Sequence, residues 1–194
     1  LHAAQIQGFF DIPVDHLSAA KVFHEYFDSN RDQLKDLVIV SPDVGNVKVA
    51  NQFASMLDAD LAIVDKRRES GMKVASRNLI GNVKGRSVLM IDDMISTAGT
   101  VCEAARLVME YGATSVHAAA THAVFAGIAA ERLNEAPISS VIVTDSIPIG
   151  TRMGTIQHKL TVLTVAKLLG DAVHRIHHDM SISALFRGSL GTKR

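Results

Sequence analysis

Five short apolar runs recur along the chain, at residues 37–40, 61–64, 87–91, 115–120 and 141–143. Each is too short for a buried helix and rich in Val, Ile and Ala, so each reads as a strand. Consecutive rather than alternating apolar residues mean that both faces of the strand are covered, which is characteristic of a parallel sheet. Between the runs, Val47, Ala50, Phe53, Ala54 and Leu57 recur at helical spacing over 46–57, as do Val101, Ala104, Ala105, Val108 and Met109 over 99–111. Residues 125–135 form a third helical stretch, and Gly112 is placed to stop the second. Strand and helix in alternation predict an α/β fold, a parallel sheet with helices on both faces. Ligands of such sheets bind at the carboxyl ends of the strands. The polar residues after each run are therefore the candidates for chemistry: 41–45, 65–69, 92–100, 121–122 and 144–148.

Composition narrows the class of function. The 194 residues are 47% hydrophobic and 21% charged, the balance of a soluble globular domain. Lys and Arg number 20, as do Asp and Glu, so the net charge is zero and a general nucleic-acid binder is disfavoured. Cys102 is the single cysteine, which rules out an intrachain disulfide and fits a reducing, cytoplasmic setting. No apolar run reaches the roughly 18 residues that cross a bilayer, so no membrane partner is expected. The first ten residues lack the basic start and cleavage site of a leader. The chain begins with Leu1, and we expect it to be a piece of a longer protein. Residues 69–82 read as a long mobile loop and 187–194 as a disordered tail.

The strongest chemical signal lies in residues 88–100. An apolar strand runs into Asp92 and Asp93, then into the turn Ser96-Thr97-Ala98-Gly99-Thr100, then into a helix. The turn offers backbone N–H groups and three hydroxyls at a helix N-terminus, a cradle for a phosphate dianion. The two carboxylates would repel that phosphate and suit vicinal sugar hydroxyls or a metal that arrives with the substrate. Phosphate at one end and diol acceptors beside it describe a site for a ribose 5-phosphate. Lys66, Arg67 and Arg68 follow the second run; three adjacent cations suit an anion between them, Arg gripping it bidentately and Lys as a point charge. Asp43, Val44 and Gly45 follow the first run, where the glycine allows close approach of a diphosphate.

Residues 88–100 resemble the phosphoribosyl-diphosphate motif of the type I phosphoribosyltransferase fold. More narrowly, that segment together with 5–17, Ser41-Pro42-Asp43-Val44-Gly45 and Asp65-Lys66-Arg67-Arg68 resembles the ribose-phosphate diphosphokinase family, over residues 1 to about 186. The resemblance implies Mg²⁺-dependent transfer of diphosphate from ATP to C1 of ribose 5-phosphate. It makes Lys66 and Arg68 catalytic, and assigns Asp92, Asp93, Ser96, Thr97, Ala98, Gly99 and Thr100 to ribose 5-phosphate. Asp43, Val44 and Gly45 become the diphosphate loop, and His2, Asp11, Asp15 and Asp43 the metal ligands. It implies a homo-oligomer, dimer to hexamer, and divides the chain into a remnant of an N-terminal domain (1–30), a phosphoribosyltransferase-like domain (31–186) and a tail (187–194). The family commonly has Asp where Ser96 stands here, so phosphate binding is expected to survive while the tuning of the reaction changes. Without an N-terminal domain, the chain is expected to turn over weakly or not at all. Two other readings stay open: a non-catalytic regulatory subunit of the family, and a phosphoribosyltransferase acting on a base. His117 is expected to pack in a strand and His122 to line the site, while His174 and His178 lie on a terminal helix without a third metal ligand.

Overall fold

The computed structural model describes residues 4–67 and 76–185. Seven strands form one sheet: β1 (Val38–Ser41), β2 (Asp60–Arg67), β3 (Ser76–Ile80), β4 (Ser87–Ile95), β5 (Ser115–Ala123), β6 (Ser140–Thr144) and β7 (Leu160–Leu163). Among the described residues five α-helices accompany them: α1 (Ala20–Ser29), α2 (Val47–Met56), α3 (Gly99–Glu110), α4 (Ala129–Glu135) and α5 (Ala166–His177). The order across the sheet is β3-β2-β1-β4-β5-β6-β7. All pairings are parallel except β2 with β3. Among the described residues no helix is long and apolar enough to cross a membrane.

The apolar runs became strands for the reason their composition gives. Val38, Ile39, Val40, Val88, Leu89, Val116, Ala118, Val141 and Val143 are all fully buried. The side chains of each strand alternate between two cores. One holds Val40, Met90, Ala118 and Val143 against α3 and α4. The other holds Ile39, Leu89, Ile91 and Ile142 against α1 and α2. There Phe23 meets Phe53 edge-on at 6.3 Å and stacks at 6.3 Å on Phe27. The second core thus reaches back to Ala19 and takes in α1, whereas Phe9, Phe10 and Ile12 are exposed.

Several boundaries differ from the sequence reading. Residues 76–80 are not part of a loop: they form the antiparallel edge strand β3, with Lys66 opposite Arg77 and Val64 opposite Leu79. Ser-Arg-Asn is a polar run, and an edge strand that needs little burial leaves little apolar pattern. Asp65, Lys66 and Arg67 belong to β2 rather than to a loop after it, and Asp92 and Asp93 lie within β4. Helix α4 starts at Ala129, not 125, because Phe125 and Gly127 have φ of +43° and +59°. The tail 187–194 lies outside the described residues.

Candidate functional site

The sheet order reverses between β1 and β4: from β1 the chain moves outward to β2 on one side, and from β4 outward to β5 on the other. The loops at the carboxyl ends of these two strands diverge, and the crevice between them is where ligands of open α/β sheets bind. The loop 42–46 leaves β1 there, and the end of β4, which carries Asp92 and Asp93, runs there into the turn 96–98 and the start of α3. Two side chains tie the loops down. Ser41 Oγ donates to Asp43 O at 2.6 Å, and Asn46 Nδ2 donates across the crevice to Ile91 O at 2.6 Å. Asp43 Oδ1 accepts the Asn46 N–H at 3.0 Å, which holds its carboxylate at the start of α2. A Cβ on Gly45 would stand 3.3 Å from that same oxygen, so this glycine keeps the loop tight. Val44 is exposed.

Helix α3 begins in an unusual way. Its N-cap is Ala98, held at φ +60° in the left-handed region, and no side chain caps the helix. Alanine is a poor N-cap and a strained left-handed residue. The first N–H groups of a helix have no intrahelical acceptor, so those of Gly99, Thr100 and Val101 are left for something else. Ser96, Thr97, Ala98, Gly99 and Thr100 line a pocket of about 160 Å³ that also touches Pro42 and Asp92. A Cβ on Gly99 would meet only Thr97 Oγ1 and Arg132 Nη1, both at 3.9 Å. A hydroxyl and a guanidinium thus both lie near Gly99, close to the uncapped N–H donors of the helix start. An anion with several oxygens suits this place.

Beside this cradle sits the acidic doublet. Asp92 Oδ1 accepts the Asp93 N–H at 2.8 Å. Burial raises the Asp92 carboxyl to about 6; that hydrogen bond opposes the rise, and the carboxylates of Asp93 and Asp43 add to it. The crevice thus gathers negative charge from both loops, next to donors that prefer an anion. A ligand that carries both phosphate and hydroxyls, or phosphate and a hard cation, resolves that contrast.

The other predicted residues divide. Among the described residues, no three His, Cys, Asp or Glu side chains form a group able to hold a metal ion. Asp11 and Asp15 lie on the exposed N-terminal segment, and His2 is outside the described residues. The backbone of Lys66 is in β2, near the carboxyl end of a strand beside β1. Arg68 lies outside the described residues. His117 packs as expected, half-buried between Ser140 Oγ at 2.7 Å and Ser115 Oγ at 3.2 Å. His122 lies on β5 rather than beyond it, beside the doublet.

Two contributors escaped the sequence reading. Arg132 of α4 donates from Nη1 to Thr97 O at 3.0 Å, which braces the cradle and brings a positive charge to its rim. Asn46 fastens one loop to the other strand. Neither has a local signal: Arg132 is one charged residue on an amphipathic helix, and its partner is 35 positions away.

Comparison with known proteins follows the same lines. The family model of the phosphoribosyl synthetase-associated domain matches residues 70–187. The chain is 54% identical over 189 residues to a ribose-phosphate pyrophosphokinase of Rhodopirellula baltica, covering 96% of this chain and 59% of that protein. It is 48% identical over 186 residues to a ribose-phosphate pyrophosphokinase of Helicobacter pylori, covering 96% of this chain and 57% of that one. The crystal structure of phosphoribosylpyrophosphate synthetase from Mycobacterium smegmatis superposes with a TM-score of 0.82 at 40% identity, over 92% of this chain and 57% of that one. The chain therefore spans little more than half the length of the relatives it matches. The family model covers more than half of the chain and the relatives are about half identical to it, so the chain belongs to the phosphoribosyl synthetase-associated domain family.

Proposed function

We propose that this chain carries the ribose 5-phosphate and diphosphate loops of a ribose-phosphate diphosphokinase. In that reaction the C1 hydroxyl of ribose 5-phosphate attacks the β-phosphorus of ATP. An O1–Pβ bond forms, the bridge between Pα and Pβ breaks, the hydroxyl proton is lost, and AMP leaves with 5-phosphoribosyl 1-diphosphate as the other product. The observation that carries the reading is the uncapped start of α3, with Thr97 and Arg132 near it, directly beside Asp92 and Asp93.

Each group then has a task. The N–H groups of Gly99, Thr100 and Val101, with the hydroxyls of Ser96, Thr97 and Thr100, hold the 5-phosphate. Asp92 and Asp93 accept from the pentose hydroxyls and fix the ring, so that C1 faces the loop 43–45. Lys66 and Arg68 stabilise charge on the transferred group. Asp43 would hold Mg²⁺ together with the substrate's phosphate oxygens, with Asp11, Asp15 and His2 as the further ligands that the family resemblance implies. When bound with the phosphates it lowers their charge and orients them. Ser96 donates to phosphate but has no carboxylate to accept a proton. On the same reading the enzyme is a homo-oligomer, and it works in the cytoplasm, a reducing compartment in keeping with the buried, free Cys102.

Two measurements test this. Calorimetry on the chain is expected to show ribose 5-phosphate binding more tightly than inorganic phosphate; equal affinity removes the pentose site. With the gene product containing this sequence, ATP, ribose 5-phosphate and saturating Mg²⁺ are expected to release AMP. Lys66→Ala should lower kcat far more than it weakens ribose 5-phosphate binding. No AMP, or an unaltered kcat in the variant, refutes the transfer chemistry.

A further inference from the structure

A second cavity, of about 210 Å³, opens on the other side of Asp92. It lies between α1, α2 and the ends of β4 and β5, and its polar lining includes Asp92, Asp93, Gln52, Thr121 and His122. Ile91 and Asp92 line this cavity and the phosphate cradle alike, so the two are neighbours on either side of Asp92. Adjacent residues of a regular strand face opposite sides. Here Thr121 and His122 line one cavity because the β5–β6 register shifts between Ala120 and His122. Bulges of this kind re-aim side chains beside active sites.

The hydrogen atoms around His122 can be counted. Ser146 Oγ has one hydrogen, and it goes to Thr121 O at 2.9 Å, since a carbonyl oxygen only accepts. The contact of 2.9 Å between His122 Nδ1 and Ser146 Oγ therefore has the imidazole as donor. The same carbonyl also accepts from Thr144 Oγ1 at 2.7 Å, and the Ser146 N–H donates to Thr144 Oγ1 at 3.2 Å. A neutral ring that carries its proton on Nδ1 satisfies every contact of this small network at once. Nε2 is left with its lone pair, as an acceptor. Burial lowers the His122 pKa, which favours that neutral ring.

We propose that His122 is a further pentose-positioning residue, its Nε2 accepting a hydrogen bond from a ribose hydroxyl beside the Asp92–Asp93 doublet. The inference rests on the ribose 5-phosphate reading above and deepens it. A neutral acceptor suits this place, because it adds no third negative charge to a crevice that must also admit phosphate. The bulge aims the ring, and Ser146 fixes its tautomer.

The experiment compares wild type, His122→Asn and His122→Gln by calorimetry with ribose 5-phosphate and, separately, with inorganic phosphate. Asn keeps a donor towards Ser146 but has nothing at the Nε2 position; Gln reaches that position with a carbonyl oxygen. Loss of one net hydrogen bond predicts about a fivefold weaker ribose 5-phosphate affinity in His122→Asn, partly restored in His122→Gln. Phosphate affinity should not move in either. An unchanged ribose 5-phosphate affinity in a folded His122→Asn overturns the proposal, and so does an equal loss for phosphate, which would mark a structural role. Nitrogen-15 chemical shifts supply an independent arm: wild-type His122 is expected as the Nδ1–H tautomer, and an Nε2–H tautomer overturns the proposal whatever the affinities. If wild type binds ribose 5-phosphate no better than phosphate, the reading beneath it fails first, and that outcome is read on wild type alone.

Discussion

Replacing Gly99 by Ala separates what the fold needs from what a ligand needs. Gly99 is the first residue of α3, and a Cβ built on it finds no atom nearer than 3.9 Å. That is ordinary van der Waals distance, so the apo protein should accept the methyl group without strain. An alanine in place of a conformationally compatible glycine stabilises by about 0.4–1 kcal/mol, through the unfolded chain. For a chain of this size that is a rise in Tm of about 1–4 °C. The same methyl group would project 3.9 Å from both Thr97 Oγ1 and Arg132 Nη1, at the helix start where the proposed phosphate approaches the free N–H groups. An oxygen displaced from that spot loses at least one hydrogen bond that its charge assists, worth about 1.5–3 kcal/mol, or roughly 10- to 150-fold in affinity. Thermal melts and calorimetry with phosphate and ribose 5-phosphate read the two effects separately. Unchanged affinity in the folded variant would refute the cradle. A fall in Tm of several degrees would show that the space over Gly99 is needed by the fold itself.

Other predictions follow from the same geometry. Gly81→Ala is the contrasting glycine: at φ +111° its Cβ would lie 2.7 Å from Ala62 Cβ and 2.9 Å from Ala62 Cα, so the variant should lose about 2 kcal/mol or more in denaturant melts, and a neutral result would contradict the β2–β3 packing. In ligand-free, metal-free protein, carbon-13 titration of Asp92 should give a midpoint near 6, with burial as the main cause. Because that carboxyl is raised in the folded state, its favourable contribution is complete below about pH 4 and is lost as pH rises through about 6. The shift corresponds to at most about 3 kcal/mol, and solvent screening of this partly exposed group reduces that to about 1–2. Asp92→Asn should remove this pH dependence of stability; a titration midpoint near 4 would contradict the crowding of the crevice. Asp145 runs the other way: the Val165 N–H, at 2.8 Å from Oδ1, and then the Thr164 hydroxyl hold its carboxyl below the usual value. Its contribution is present above the ordinary carboxylate value near ~4 and is lost as pH falls below it. Asp145→Ala should remove one largely solvent-exposed hydrogen bond, worth about 0.5 kcal/mol or less at pH 7 after screening, with little effect at pH 3.

The apolar runs at 37–40, 87–91, 115–120 and 141–143 told their own burial, because a strand covered on both faces must be apolar at every position. The doublet and the turn after it were legible for a similar reason: a local stretch of chain carries both the donors and the acceptors. What the sequence could not report is which distant elements meet. Burial periodicity describes one element at a time, whereas proximity depends on sheet order and crossovers. Tertiary structure alone brought Arg132 to Thr97, fastened Asn46 to Ile91 O, and set the Asp43 loop beside Asp92 at the point where the strand order reverses. It made a strand of the polar residues 76–80 by pairing them with β2, and it supplied the register shift before His122, a residue the sequence had placed at the site without that irregularity. The left-handed Ala98 belongs with these: nothing in an alanine predicts φ of +60°, and the burial of that one side chain beneath an otherwise open turn is a tertiary feature, with the helix start left uncapped.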